Sequence, residues 1–106
     1  MKETLNRSYQ FRRVFRKGSK FRGSAFKAFF IPNTLGRIRL GFSLSAKSGK
    51  AVSRNRMKRR LRQLAGERDI GADVVILPVR SLDSISWKDL KEDFEALMCR
   101  ISASGK

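Results

Sequence analysis

The stretch Lys47-Ser48-Gly49-Lys50-Ala51-Val52-Ser53-Arg54-Asn55-Arg56-Met57-Lys58-Arg59-Arg60-Leu61-Arg62 carries the most conspicuous chemistry of the chain. Its side chains hold no nucleophile–base pair and no metal-ligand set. Guanidinium and ammonium groups at this density recognise phosphate oxygens, and arginine's rigid fork of donors suits them better than lysine's point charge. At about 100° per residue in a helix, Met57, Leu61 and Leu64 fall on one narrow stripe that would anchor the helix. Arg54, Lys58 and Arg62 lie together beside Asn55 and Arg59, while Arg56 and Arg60 flank the apolar stripe from the other side. Charge runs on helices are ordinarily solvated faces joined by i,i+4 ion pairs. Here Glu67 is the only acid between residues 47 and 68. Arg54 and Arg56 also lie in the amino-terminal half, where the helix dipole disfavours cations by a few tenths to about 1 kcal/mol each. A local rule broken without local compensation points to function.

A second feature combines aromatic rings with charge. Phe29 stands beside Lys27 on one face of an apolar segment, and the next segment presents Arg39, Gly41, Ser43 and Ser45 on its outer face. Phe11 and Phe15, four residues apart, could wall such a groove, and single-stranded nucleic acid stacks its bases on such rings at about 1–3 kcal/mol each. The same i,i+4 spacing equally describes the core face of an amphipathic helix.

Other chemistries are excluded. The chain has no histidine, the commonest general base and metal ligand. Its single cysteine, Cys99, supports neither a disulfide framework nor a cysteine zinc site, and is expected to be a small core residue. Asp69 and Asp73 read as loop and edge residues, and Asp89, Glu92, Asp93 and Glu95 as a solvated helix face. No segment approaches 18 uninterrupted apolar residues and the start lacks an apolar signal region, so a soluble, cytoplasmic protein without membrane or small-molecule partners is expected.

The charge is divided along the chain. Residues 1–68 carry twenty basic and two acidic side chains, and residues 69–106 five basic and seven acidic, for a net charge of +16. Such a division self-repels on one side unless a polyanion neutralises it, and nucleic acid is the default polyanion.

The elements that must position these groups follow from periodicity. Residues 8–17 read as a helix with Ser8 as N-cap and Gly18 at its end. Residues 25–31 read as a strand with Phe26, Ala28 and Phe30 on one face. Residues 32–36 form a hairpin-length loop, and a return strand at 37–45 sends Ile38, Leu40, Phe42 and Leu44 inward. Ser48 is the expected cap of the basic helix, which ends at Gly66. Residues 72–79 form a strand buried on both faces, with Pro78 at its end. The last helix spans about 87–101, opened by a capping box of Ser86 and Asp89. The order α-β-β-α-β-α, with 106 residues, implies one α+β domain over 1–106, helices packed on a small mixed sheet.

The spaced set Leu40-Gly41-Phe42-Ser43-Leu44-Ser45, Gly49-Lys50-Ala51-Val52 and Arg54-Asn55-Arg56-Met57-Lys58-Arg59-Arg60-Leu61-Arg62 resembles the bacterial ribonuclease P protein subunit. The resemblance implies the protein partner of a large catalytic RNA, which together cleave the 5′ leader from precursor tRNA with magnesium held mainly by the RNA. It implies that Arg54, Asn55 and Arg56, with Lys50, Arg59 and Arg60, face the RNA subunit. It further implies that Phe11, Phe15, Phe29, Lys58 and Arg62, with Lys27, Ser43 and Ser45, receive the single-stranded leader. The fold it implies, like the second domain of ribosomal protein S5, has a left-handed β-α-β crossover. Ala46 stands where the family commonly has a basic residue, and Phe29 where it commonly has tyrosine. A ribosomal or other structural RNA-binding protein is the alternative that charge alone would equally fit. A stand-alone nuclease lacks the catalytic groups, and a helix-turn-helix lacks a preceding helix at turn distance.

Overall fold

A computed structural model describes residues 8–44, 46–66 and 68–104. Helix α1 (Ser8–Lys17) is followed by strands β1 (Ser19–Arg22), β2 (Phe26–Pro32) and β3 (Ile38–Phe42). Helix α2 (Ala51–Ala65), strand β4 (Ala72–Pro78) and helix α3 (Trp87–Ser104) complete the chain. The strands form one mixed sheet in the order β1-β2-β4-β3.

Two expectations about the sheet are corrected. β2 and β3 do not form a hairpin, because β4 lies between them, antiparallel to β2 and parallel to β3. The reason is burial: Ala72, Val74, Val75 and Ile76 are inaccessible on both sheet faces, which only a central strand provides. The loop at 33–37 therefore spans a strand. Asn33 Oδ1 accepts the Leu35 N–H at 2.9 Å, and the Asn33 N–H donates to the Gly71 carbonyl at 3.1 Å, tying the loop to the entrance of β4. The second correction is β1, absent from the sequence reading. Its four residues bury only Phe21, and such a short, charged edge strand carries almost no periodic signal.

The sheet is apolar on both faces. Val14 of α1 packs on Ile31 and Val75, with Phe11, Phe29 and Leu77 around them. On the opposite face Phe26, Ala28, Phe30, Leu40, Val74 and Ile76 meet α2 and α3 in the main core. Gly18 is required where α1 ends, since a Cβ there would lie 2.3 Å from the Val14 carbonyl oxygen and 2.9 Å from that of Phe30.

Two carboxylates expected at the surface or an edge are buried instead. Asp93, on the inner side of α3, accepts the backbone N–H groups of Ser24 (3.3 Å), Ala25 (2.6 Å) and Phe26 (3.1 Å). It closes the β1–β2 turn, and Gly23 leaves the space its carboxylate fills. Asp73, in the middle of the sheet, takes a two-bond clasp from Arg39 at 2.8 and 2.7 Å and a third bond from Asn33 Nδ2 at 2.8 Å. Burial alone would push the Asp73 carboxyl up, but the bonds from Arg39 and Asn33 and the charges of Arg39 and Arg13 outweigh it and hold its pKa below the ordinary value. Cys99, by contrast, is exposed rather than core; Met98 beside it takes the buried position.

The helix ends are mixed in outcome. Gly18 and Gly66 close α1 and α2 through N–H bonds to the Val14 and Arg62 carbonyls. Ser86 Oγ accepts the Asp89 N–H at 3.0 Å, as a capping box requires, but the Asp89 carboxylate turns to Arg80 at 2.8 Å. Ser48 is not the cap of α2. It ends a short 3-10 turn, and Lys50 occupies the N-cap position without a side-chain bond. The side chain of Ser8 lies outside the described residues.

Two outcomes follow from the buried acids. Asp93→Ala should lower unfolding free energy by about 2–3 kcal/mol, because it strands buried N–H donors, and Asp93→Asn should lose less; urea denaturation reads both. For Asp73 the folded pKa is depressed, so its contribution is complete above the unfolded value near 3.9 and is lost as pH falls through the folded value. Denaturation midpoints measured from about pH 6 down to about pH 2 should therefore fall less steeply for Asp73→Asn than for the native chain.

Candidate nucleic-acid interface

Helix α2 is held by Met57, Leu61 and Ala65, spaced four apart and buried against the sheet. Leu64, expected on that stripe, is half-buried at its margin. Asn55, Arg56 and Arg59 are exposed on the outer face, next to Val52, which is 67 % exposed. Arg54, Lys58 and Arg62 run along one flank and are half-buried. Arg60 is half-buried on the other.

Several of these cations are positioned by packing on rings. The Arg62 guanidinium sits 5.6 Å from the Phe42 ring centre at the end of β3. On the opposite flank the Arg60 guanidinium sits 5.1 Å from the Trp87 ring centre, which Lys91 also approaches at 5.6 Å. Ser53 Oγ donates to Asp83 at 2.8 Å, fastening the first turn of α2 to the 3-10 turn Leu82–Ser84.

No acid among the described residues pairs with a cation of the helix. Among the described residues the ion pairs join Arg39 to Asp73, Arg68 to Glu95 and Arg80 to Asp89, and none includes a cation of α2. The Nε donors of Arg54 and Arg62 are buried without a hydrogen-bond partner among the described residues. An unmade bond of this kind costs about 1–3 kcal/mol, so the sequence tolerates a local loss to keep these guanidinium groups in place. The first turn of α2 holds no acid, and its N-cap is the exposed Lys50.

The aromatic residues expected to line a groove lie on the other face of the sheet. Phe15, 39 % exposed, meets Phe29 edge-on with ring centres 5.1 Å apart. Phe11 is half-buried beside them, and Lys27 is half-buried two residues before Phe29 on the same face of β2. Lys20, missed by the sequence reading, places its Nζ 5.9 Å from the Phe29 ring centre. Its signal was the Lys20-Phe21-Arg22 alternation, which goes unread once β1 is overlooked. The Ser43 side chain is exposed just past β3, with its N–H donated to the Ile76 carbonyl at 3.0 Å. Ser45 lies outside the described residues.

The expected set thus falls into two groups on opposite faces of the sheet. Phe11, Phe15, Phe29 and Lys27 share the α1 face, whereas Lys58 and Arg62 belong to a helix packed on the opposite face. No hydrogen bond or ring contact joins the two groups among the described residues. No described residues gather three or more acidic or cysteine side chains as a metal site would, and no described helix is long and apolar enough to cross a membrane.

Comparison with known proteins agrees across sequence and structure. Residues 1–102 match the family model described as Ribonuclease P. A Natranaerobius thermophilus protein named ribonuclease P protein component is 35 % identical over 95 residues, covering 86 % of this chain and 83 % of its own length. The Finegoldia magna protein of the same name is 33 % identical over 105 residues, covering 95 % and 89 %. Among solved structures, the ribonuclease P protein from Thermotoga maritima superposes with a TM-score of 0.77 at 26 % identity, over 93 % of this chain and 97 % of that one. A Staphylococcus aureus ribonuclease P protein shares the fold with a TM-score of 0.77 at 22 % identity, over 92 % and 94 %.

The buried guanidinium donors separate function from stability. Arg54→Met should leave unfolding free energy unchanged or raise it by up to about 1 kcal/mol, since it removes an unsatisfied donor. Met57→Ala should cost about 2–5 kcal/mol. Urea denaturation of both variants is the check, and equal destabilisation would make Arg54 a structural residue.

Proposed function

Because the chain belongs to the ribonuclease P protein family, the protein component of a tRNA-processing ribonucleoprotein, we propose that its cationic and aromatic groups serve two RNA clients. Arg54, Asn55 and Arg56, with Lys50, Arg59 and Arg60, contact the catalytic RNA. Phe11, Phe15 and Phe29, with Lys27, Ser43, Ser45, Lys58 and Arg62, receive the single-stranded 5′ leader of precursor tRNA. The observation that carries this reading is α2 itself, whose cations lack any ion pair among the described residues and include two buried, unpartnered donors. A polyanion supplies what the fold withholds.

The physical roles differ between the groups. Exposed arginines on α2 exchange counterions for phosphates, a contribution that is independent of sequence and weakens with salt. The edge-on Phe15–Phe29 pair offers a ring surface on which an unpaired base stacks, and Lys20 and Lys27 lie near enough to hold the adjoining phosphates. Stacking on rings tolerates any base, which suits leaders of varied sequence. Magnesium in this reading is held mainly by the RNA, and the protein contributes position and charge rather than a nucleophile. The ribonucleoprotein works in the cytoplasm.

Reconstitution with the catalytic RNA of the same organism tests the reading. At low magnesium the protein should raise precursor cleavage, and no change would overturn it. Phe15→Ala and Arg62→Ala should each reduce the preference for precursor over mature tRNA by roughly tenfold, within the range set by one lost stacking or charged contact. Equal weakening for both tRNAs would remove the leader site from the proposal.

A further inference from the structure

Helix α1 presents a second cationic surface that the two clients leave unused. Arg12, Arg13, Arg16 and Lys17 are all exposed and rim one open hollow of about 350 Å³. At about 100° per residue they fill an arc opposite Phe11, Val14 and Phe15, so α1 is apolar toward the sheet and cationic outward.

This surface is not the usual solvated face. Arg12 and Arg16, and Arg13 and Lys17, stand four residues apart, where like charges repel. The helix contains no acid, and none of the four cations has an ion pair among the described residues. The charge of Asp73 reaches Arg13, but that carboxylate is already bonded to Arg39 and Asn33. The helix dipole favours Arg16 and Lys17 in the last turn and leaves Arg12 and Arg13 uncompensated.

Its position relates it to the aromatic pair. Phe15 is 39 % exposed at the margin of α1. Arg12 lies one turn before it on the helix surface and Arg16 directly after it, both displaced toward the outer face. Past Lys20, which lies over the Phe29 ring, a strand leaving the rings along α1 meets Arg12 and Arg16, whereas α2 lies across the sheet.

We infer that the outer face of α1 holds the phosphodiester backbone of the leader beyond the nucleotides stacked on Phe15 and Phe29. The inference rests on the leader reading above. It adds a subsite that recognises leader length through phosphate charge and ignores base identity.

The test compares precursors with leaders of about 2 and about 10 nucleotides, the longer within the span that single-strand binders cover, bound to the reconstituted ribonucleoprotein. The native protein should bind the longer leader more tightly. The variant Arg12→Gln/Arg13→Gln/Arg16→Gln/Lys17→Gln should bind the short leader as the native protein does and lose the gain from the long one, roughly tenfold. Its dependence of log K on log salt should flatten by roughly 2–3 for the long leader, at about 0.7 per single-strand phosphate. Glutamine matches arginine and lysine closely in helix propensity, so thermal melting should show the variant folded. The milder Arg12→Gln/Arg16→Gln should lose part of the gain, and the charge-keeping Arg12→Lys/Arg13→Lys/Arg16→Lys should retain it. Full retention by the fourfold variant overturns the inference, as does equal weakening for both leaders and mature tRNA, which would assign the surface to another RNA. If the native protein shows no gain from leader length, the leader reading fails and takes this subsite with it. A native gain that the fourfold variant keeps overturns the subsite alone.

Discussion

The double-sided burial of β4 governs the rest of the structure. A strand that is apolar on both faces must sit inside the sheet, and placing it between β2 and β3 separates two segments that are neighbours in sequence. The loop at 33–37 then has to cross the entrance of β4, and the α2 crossover has to return the chain from β3 to a parallel neighbour. Asp73 is the one charge in that strand, and its bonds fix both consequences: Arg39 comes from β3 and Asn33 from the crossing loop. The layering follows as well, with α1 on one face and α2 and α3 on the other, so the chain presents two basic surfaces rather than one.

Carboxylate placement explains why those surfaces carry no ion pair among the described residues. Asp73 holds β3, Asp93 holds the β1–β2 turn, Asp83 holds the first turn of α2, and Asp89 and Glu95 hold Arg80 and Arg68. These five acids therefore act as joints within the scaffold, and among the described residues the cations of α1 and α2 have no ion pair with them. Mutual repulsion across a net charge of +16 opposes the compact state. The fold withstands it through two apolar layers, and a bound polyanion would relieve it.

Legibility from sequence followed the strength of each periodic signal. The helices at 8–17 and 51–65, the alternation of Ile38 and Leu40, and the continuous apolar run of β4 were readable because many residues repeat one rule. β1 was not, because one buried residue in four leaves nothing to repeat. Strand order was not, because alternation says which face is buried and nothing about which neighbour pairs. Asp93 was misread for a related reason: its helical position is a boundary of the apolar stripe, and only the folded β1–β2 turn brings it three N–H donors. The cations of α2 could be grouped from the helix wheel alone, but their division from the aromatic group by the sheet could not.

The strength of a binding surface depends on how little must be ordered on binding. Long basic side chains carry about 2 kcal/mol of rotamer entropy each, and a phosphate contact that first has to freeze such a chain loses much of its gain. Arg60 on Trp87 and Arg62 on Phe42 are already restrained by ring contacts. Arg56 and Arg59 have no such ring contact among the described residues and are exposed. The helix thus carries cations of two kinds. Restrained guanidinium groups along its flanks suit fixed positions on an RNA, whereas free ones on its outer face attract phosphate at longer range and adapt to it. The same distinction separates the Phe15–Phe29 pair, which meets edge-on over β2, from the solvent-facing arginines of α1.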